Sequence, residues 1–165
     1  MTKKHLLGVL AGISFLALMP LAHADDDDYD PRLRFASKAT NPKWVTECGA
    51  CHIAFPPHFL PAESWREIMS GLDKHFGSDA SLDAETAGEI TAFLEQHSRL
   101  QAVSLDAAGK PLLRITEYHW FRNEHDEILP RVWKSAKVKS RANCSACHTS
   151  AEQGDYSERN IRIPK

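Results

Sequence analysis

Sulfur-containing residues and long apolar runs are scarce in this sequence. Its 165 residues include four cysteines and three methionines. Met1 and Met19 lie in a predicted export signal, so Met69 is the one methionine of the mature chain. No apolar run after that signal approaches the roughly 18 residues of a membrane-spanning helix. We therefore expect a soluble mature protein without a membrane span.

The cysteines all belong to one motif, which leaves no thiol for another role. The pentapeptide Cys-x-x-Cys-His occurs twice, at 48–52 and at 144–148. This spacing is typical of c-type haem attachment, in which two thiols form thioethers and the next histidine binds the iron. The sequence thus predicts two covalently attached c-type haems with His52 and His148 as proximal iron ligands. The predicted attachment residues are Cys48, Cys51, Cys144 and Cys147.

Paired cysteines have three other common uses in proteins. Two Cys-x-x-Cys pairs can hold one tetrahedral zinc ion, or act as redox dithiols or disulfides. None of these requires a histidine straight after each pair. The 93 positions from Cys51 to Cys144 also exceed the roughly 15–20 residues of a zinc ribbon. The pattern favours haem.

The first residues have the features of a secretory signal peptide. Lys3 and Lys4 precede an apolar stretch at 6–18, which is too short to span a membrane, and Ala22-His23-Ala24 follows as a cleavage site. We predict a signal peptide at 1–24 that is cleaved after Ala24. Because c-type haem is attached outside the bacterial cytoplasm, this signal predicts a periplasmic protein.

The mature chain is long enough for one ordinary domain or two small lobes, each built round a cofactor. We predict a haem 1 lobe at 25–105 and a haem 2 lobe at 106–165. The expected fold is mostly α, with short helices packed round each haem and few or no strands. Hydrophobic periodicity and capping residues predict four helices. These begin at Pro42 and span 62–76, 83–97 and 117–129, with a turn at 108–111, a short strand at 112–116 and a loosely packed tail at 150–165.

The distal ligand of the first haem is predicted from the apolar face of helix 62–76. His75 shares that face with Trp65, Leu72 and Phe76, where a flat apolar macrocycle would pack. Met69 lies on the same face and is the second candidate. His97, near a helix end, is the third. His58 is disfavoured because Pro56 and Pro57 stiffen the short segment that joins it to His52.

The distal ligand of the second haem is predicted from helix 117–129. His125 falls on a face with Phe121, Ile128 and Leu129. His119 lies on the opposite, polar face and is expected in solvent. If that helix is wrong, His119 becomes an equal candidate. Tryptophan and phenylalanine side chains are expected to wall both haem pockets, namely Trp44, Trp65, Trp120, Phe121 and Trp133.

Two histidine ligands fill both axial positions of an iron and favour its ferric state, whereas a methionine ligand raises the potential. With one methionine in the mature chain, at least one haem is bis-His or open on one side. We therefore expect two low-potential haems that transfer electrons, and no catalytic residue. The alternatives are a haem enzyme, a gas or redox sensor with one open or displaceable axial site, or a redox subunit of a larger reductase.

The chain resembles the bacterial dihaem cytochrome c family known as DHC. The similarity rests on both pentapeptides and on two flanking patterns. One runs from Phe55-Pro56-Pro57 to His75-Phe76-Gly77, and the other joins Arg114-Ile115-Thr116, Trp120-Phe121, His125 and Asn143-Cys144. The resemblance implies a helical, two-lobed periplasmic protein in which His75 and His125 are the distal ligands. It also implies electron transfer to a monohaem, oxygen-binding cytochrome of the sphaeroides haem protein type, and reduction by a membrane cytochrome b.

A strip of basic residues precedes the second motif with no acidic residue among them. Charge complementarity accelerates transient encounters between proteins. We expect this strip to dock an acidic redox partner. It consists of Arg131, Lys134, Lys137, Lys139 and Arg141.

Overall fold

The computed structural model describes residues 40–98 and 102–165. The predicted signal peptide and its cleavage site lie outside these residues. Within the described parts the fold is built from short helices and 3-10 turns, without a β-strand, so the predicted mostly α fold is confirmed. The α-helices are α1 (Pro42–Gly49), α2 (Ala62–Ser70), α3 (Ala84–His97), α4 (His119–Asn123) and α5 (Pro130–Trp133).

Helix α1 begins at the predicted residue. The Asn41 side chain accepts a hydrogen bond from the Trp44 backbone N–H (2.9 Å), and Pro42 occupies the first turn, where a missing N–H costs nothing. Trp44 is buried and packs on Phe93 of α3, with ring centroids 5.2 Å apart. The first Cys-x-x-Cys-His motif therefore begins in the last turn of a helix that is packed against the core.

Helix α2 is shorter than the predicted helix at 62–76. It ends at Ser70, and the Gly71 N–H closes the last turn on the Ile68 carbonyl (3.1 Å). The chain then tightens into a 3-10 turn at Leu72–Lys74. Glycine has low helix propensity, which explains the early end. His75 thus lies beyond the helix, and the argument that placed it on a helical face was wrong.

Helix α3 was predicted closely. Asp83 is its N-cap, accepting from the Thr86 N–H (2.9 Å). The face of α3 that carries Ile90, Phe93 and Leu94 is buried against α2. This packing makes the hydrophobic core, which also contains Leu60, Trp65 and Ile68.

The segment between α3 and α4 makes a tight turn, as predicted. Leu105 and Pro111 form an isolated bridge, and Gly109 at the turn has a φ of +76°. The predicted strand at 112–116 was wrong, because residues Ile115–Glu117 form a 3-10 turn. This segment packs its apolar side chains against the core instead of pairing along a sheet edge.

Helix α4 covers only part of the predicted helix at 117–129. It lacks a side-chain N-cap hydrogen bond and ends at Asn123, after which His125 and Ile128 lie in successive turns. Leu129 is 47% exposed, so the predicted packed face is incomplete. A helix without an N-cap hydrogen bond is less stable, and Pro130 disfavours helical conformation in the residue before it, so both ends of the predicted helix are weakened.

The tail at 150–165 is better packed than predicted. It folds back so that His148 and Ile161 form a bridge, and the Arg162 N–H donates to the Cys147 carbonyl (2.8 Å). Asp155 makes the reversal possible, because its carboxylate accepts from the Asn160 side-chain amide (2.7 Å) and from the Ser157 N–H (2.9 Å). The expectation of a loose tail was wrong.

The hydrophobic core crosses the predicted lobe boundary at 105/106. Tyr118, from the second predicted lobe, is buried within the cluster formed by the first. Its hydroxyl lies 2.8 Å from the Ser64 hydroxyl of α2 and donates to the Leu112 carbonyl (3.0 Å). The division into two lobes stays a prediction.

Candidate functional site

The first motif places its histidine opposite His75. The rings of His52 and His75 are nearly parallel, with centroids 6.2 Å apart and planes inclined by 25°. Two imidazoles that bind one metal from opposite sides have ring centres about 6 Å apart, because each metal–nitrogen bond is about 2 Å long. The distance between the centroids of these two rings therefore suits a single iron bound between the two imidazoles.

Local contacts set the tautomer of His52 and lower the pKa of His75. His52 Nδ1 lies 2.6 Å from the Ile53 carbonyl, which fixes Nδ1 as the protonated nitrogen and leaves the Nε2 lone pair for a metal. Burial lowers the pKa of His75, and the facing His52 and nearby Arg114 lower it further. His75 is thereby held neutral, which is the form that binds iron.

The second motif repeats this arrangement. The rings of His125 and His148 have centroids 6.0 Å apart, with planes inclined by 67°. His125 Nδ1 lies 2.8 Å from the Phe121 carbonyl, again leaving Nε2 free. Burial and the facing His125 lower the pKa of His148, although the backbone of Tyr156 opposes this. Each motif histidine thus faces the histidine predicted as its distal partner.

The cysteines fit attachment to an apolar group. Burial raises the pKa of Cys48 and of Cys144 to about 11, so both are neutral at physiological pH. A thioether is also neutral and is therefore compatible with this burial. All four cysteines are free. Within the described ranges no three His, Cys, Asp or Glu side chains are grouped to hold a metal ion, so the arrangement gives no support to a zinc site.

Aromatic rings line the histidine pairs, although not all of those predicted. Phe55 stacks on His52 (4.7 Å between centroids), and Phe121 stacks on His125 (4.1 Å). Trp133 lies 5.9 Å from His125. Trp44 and Trp65, predicted as pocket walls, are members of the hydrophobic core.

Sequence reasoning missed Tyr156. Its ring centroid lies 5.2 Å from that of His148 and 4.9 Å from that of Phe59. Burial raises its pKa well above the usual value. The sequence did contain a signal for its burial. Tyr156 is a large aromatic residue in an otherwise polar tail, and such residues are seldom fully exposed to solvent.

The alternative ligands occupy other places. Met69 packs against the core, and His97 packs on Phe93 (5.0 Å between centroids). His58 is half-buried and packs on the neighbouring Phe59 (5.0 Å). His119 is exposed, with Nδ1 3.2 Å from the Asn123 side-chain amide.

The basic strip is exposed along its whole length. Arg141 lies over the Trp133 ring, with Cζ 5.2 Å from its centroid. Lys137 donates to the Lys165 carbonyl (2.9 Å). Arg141 thus links the strip to Trp133, which lies beside His125 of the second histidine pair.

No helix in the described parts of the chain is both long and apolar enough to cross a membrane.

A family model described as dihaem cytochrome c matches residues 44–156. No curated protein matches the chain.

Three solved structures are similar to this one. The crystal structure of DHC purified from Rhodobacter sphaeroides is 45% identical, with a TM-score of 0.61, and the match covers 71% of this chain and 97% of that one. A diheme cytochrome c from the same organism is 41% identical, with a TM-score of 0.63 and the same coverage. The diheme cytochrome type c of Shewanella baltica OS155 is 38% identical, with a TM-score of 0.65, covering 75% of this chain and 93% of that one.

Proposed function

Because the chain belongs to the dihaem cytochrome c family and carries two c-type haems, we propose that it is a periplasmic electron carrier with two bis-histidine irons. The observation that supports this most is the facing of two histidine pairs at 6.2 and 6.0 Å. Each spacing suits one iron with both axial positions filled.

We assign His52 and His75 to the iron of the first haem, and His148 and His125 to that of the second. Cys48 and Cys51, and Cys144 and Cys147, supply the thioether attachments. The haem iron supplies one-electron chemistry. The chain fixes the imidazoles through the Ile53 and Phe121 carbonyls, so that the ligands keep their orientation.

Filled axial positions suit electron transfer. Neutral imidazoles favour ferric iron more than a thioether does, which predicts two low potentials. The position of Met69 in the hydrophobic core is consistent with bis-histidine ligation at both irons. No catalytic residue is needed for this role, because the reaction moves electrons and breaks no bond.

We further propose the partners that the family resemblance implies. A monohaem cytochrome of the sphaeroides haem protein type would receive the electrons, and a membrane cytochrome b would supply them. One of the similar structures is a DHC purified from Rhodobacter sphaeroides, which supports looking for such a pair. The exposed basic strip is the proposed contact for an acidic partner.

The test is the absorption spectrum of the dithionite-reduced protein before and after carbon monoxide is added. We expect no change in the wild type within minutes, because both axial positions of each iron are filled. His75→Ala and His125→Ala should each open one haem and shift part of the Soret band. His97→Ala and His119→Ala are matched controls, and carbon monoxide should not change their spectra. A shift of the wild-type Soret band within minutes would contradict the electron-carrier proposal and favour an enzyme or sensor in which one iron has an open axial site.

A further inference from the structure

Each proposed distal histidine is backed by an aromatic ring that an arginine covers. At the first pair, the Phe76 ring lies 4.8 Å from that of His75, and Arg114 Cζ lies 4.3 Å from the Phe76 centroid. At the second pair, the Trp133 ring lies 5.9 Å from that of His125, and Arg141 Cζ lies 5.2 Å from the Trp133 centroid. The same order of histidine, aromatic ring and guanidinium thus occurs twice.

Neither distal histidine has the support of a regular helix. The His75 N–H donates to the Leu72 carbonyl at 3.3 Å, and the His125 N–H to the Arg122 carbonyl at 3.4 Å, both at the long end of hydrogen-bond distances. Phe76 has a φ of +49°, an unfavourable conformation for a residue with a side chain, and the residue is 46% exposed. Backbone hydrogen bonds from the Ser78 N–H to the His75 carbonyl (3.0 Å) and from the Ile128 N–H to the His125 carbonyl (3.2 Å) also close these turns, and the side-chain contacts add to that support.

The two arginines come from segments of the chain other than those that carry the distal histidines. Arg114 precedes the 3-10 turn at Ile115–Glu117, whose Ile115 packs against the core, and it also pairs with Glu117 (3.8 Å). Arg141 lies three positions before Cys144, so it joins the distal side of the second pair to its own attachment motif. The first contact therefore joins the turn at His75 to a segment packed against the core, and the second joins the end of α5 to the segment that precedes the second motif.

We propose that Arg114 and Arg141 are positioning residues that hold Phe76 and Trp133 in place and thereby keep His75 and His125 on their irons. This inference rests on the proposed bis-histidine ligation. A cation over an exposed aromatic ring is worth about a two- to fivefold factor in an equilibrium. Loss of either guanidinium should therefore increase the open fraction of one distal ligand by that factor.

The positive charges have a second, separable effect. A guanidinium near an iron opposes the extra positive charge of its ferric state, so it raises the potential. Its removal should lower the potential of the nearer haem alone. A contact that only stabilised the fold would not produce this local shift.

The experiment compares Arg114→Gln with Arg141→Gln in the intact dihaem protein. Carbon monoxide binding to the reduced protein and a potentiometric titration of both haems are measured. A distal histidine that dissociates slowly from its iron admits carbon monoxide over hours, and we expect Arg114→Gln to speed this slow binding two- to fivefold at the first haem and to lower its potential. Arg141→Gln should do the same at the second, so each variant is the control for the other. His75→Ala and His125→Ala identify which signal belongs to which haem.

Lysine variants separate charge from shape. Arg114→Lys and Arg141→Lys keep the cation and should restore most of the wild-type potential and closure. Unchanged binding and potentials in both glutamine variants, or equal changes at both haems in each, would overturn the inference. Carbon monoxide binding by the wild type that is complete within minutes would instead overturn the proposed bis-histidine ligation. The two failures are therefore distinguishable.

Discussion

Phe59 and Tyr156 pack edge to face, with ring centroids 4.9 Å apart and planes inclined by 67°. Phe59 lies in the turn Pro57–Phe59 that follows the first motif, and Tyr156 lies in the tail that follows the second. Tyr156 also contacts His148. This pair therefore connects the chain around one histidine pair to the chain around the other.

The Phe59–Tyr156 contact should be measurable as a coupling energy. We expect a double-mutant cycle with Phe59→Leu and Tyr156→Leu to give a coupling of about 0.5–1.5 kcal/mol in the free energy of unfolding. Denaturant titration of the four proteins measures it. Val45→Ala, at an exposed site of α1, is the control and should be additive with Phe59→Leu. A coupling of zero would show that the rings do not contact in solution.

A second contact across the predicted lobe boundary is a buried hydrogen-bond chain. Ser64 is fully buried and donates to the Tyr118 hydroxyl, which in turn donates to the Leu112 carbonyl. Tyr118→Phe should cost about 1–3 kcal/mol in the free energy of unfolding, because it leaves both partners unpaired in the core.

The combination with Ser64→Ala tests that reason. Once Tyr118 is phenylalanine, the serine hydroxyl has lost its acceptor, so its removal should cost less than it does in the wild type. Denaturant titration gives both differences. Strict additivity would mean that the two hydroxyls do not interact.

The N-cap of α3 should make stability depend on pH. Hydrogen bonds from the Thr86 backbone and side chain lower the pKa of Asp83 below its usual 3.8. A depressed folded pKa means that the contribution is complete above the unfolded value and is lost as pH falls through the folded one. We expect Asp83→Asn to lower Tm at pH 7, and the difference from the wild type to shrink as pH falls below 3.8 and through the lower folded pKa.

Asparagine is the right replacement because its oxygen can still cap the helix without a charge. The Tm difference between the two proteins, followed from pH 7 to pH 2, therefore isolates the carboxylate. A difference that stays constant over this range would assign the effect to something other than Asp83 ionisation.

Features that depend on neighbouring residues could be predicted from the sequence. The Asn41 and Asp83 caps act within one helical turn, so α1 and α3 begin where their sequences indicate. The attachment motifs are also local, since the cysteines and histidine lie within five positions. The facing of His52 by His75 was anticipated, although the helical argument for it was wrong.

Features that depend on distant contacts could not be predicted. The end of α2 at Ser70 follows from a glycine whose effect depends on how the next residues pack. The tail that returns to Cys147 is directed by Asp155, and no periodicity marks that reversal. The arginine–ring contacts also join separate segments, so nothing in their local sequence indicates them.

The basic strip offers the last prediction, which concerns the rate of electron transfer. Its side chains are exposed, and one of them, Arg141, covers the Trp133 ring beside the second histidine pair. Neutralising Lys134, Lys137 and Lys139 to glutamine should slow oxidation of the reduced protein by ferricyanide, an anion. The same change should speed oxidation by the cation tris(phenanthroline)cobalt(III). Both effects should fade as salt is added, because exposed charges are screened beyond about 10 Å at 0.1 M.

Opposite responses to the two oxidants would place the site of electron exit beside the strip. A matched variant removes three positive charges elsewhere, at Lys43, Arg66 and Lys110, so the change in net charge is the same. If steering is local, this control should respond much less to either oxidant at low salt. Equal responses from the two triple variants would mean that the strip acts only through net charge. Electrons would then have no preferred exit there, and an acidic partner would have no reason to dock at this surface.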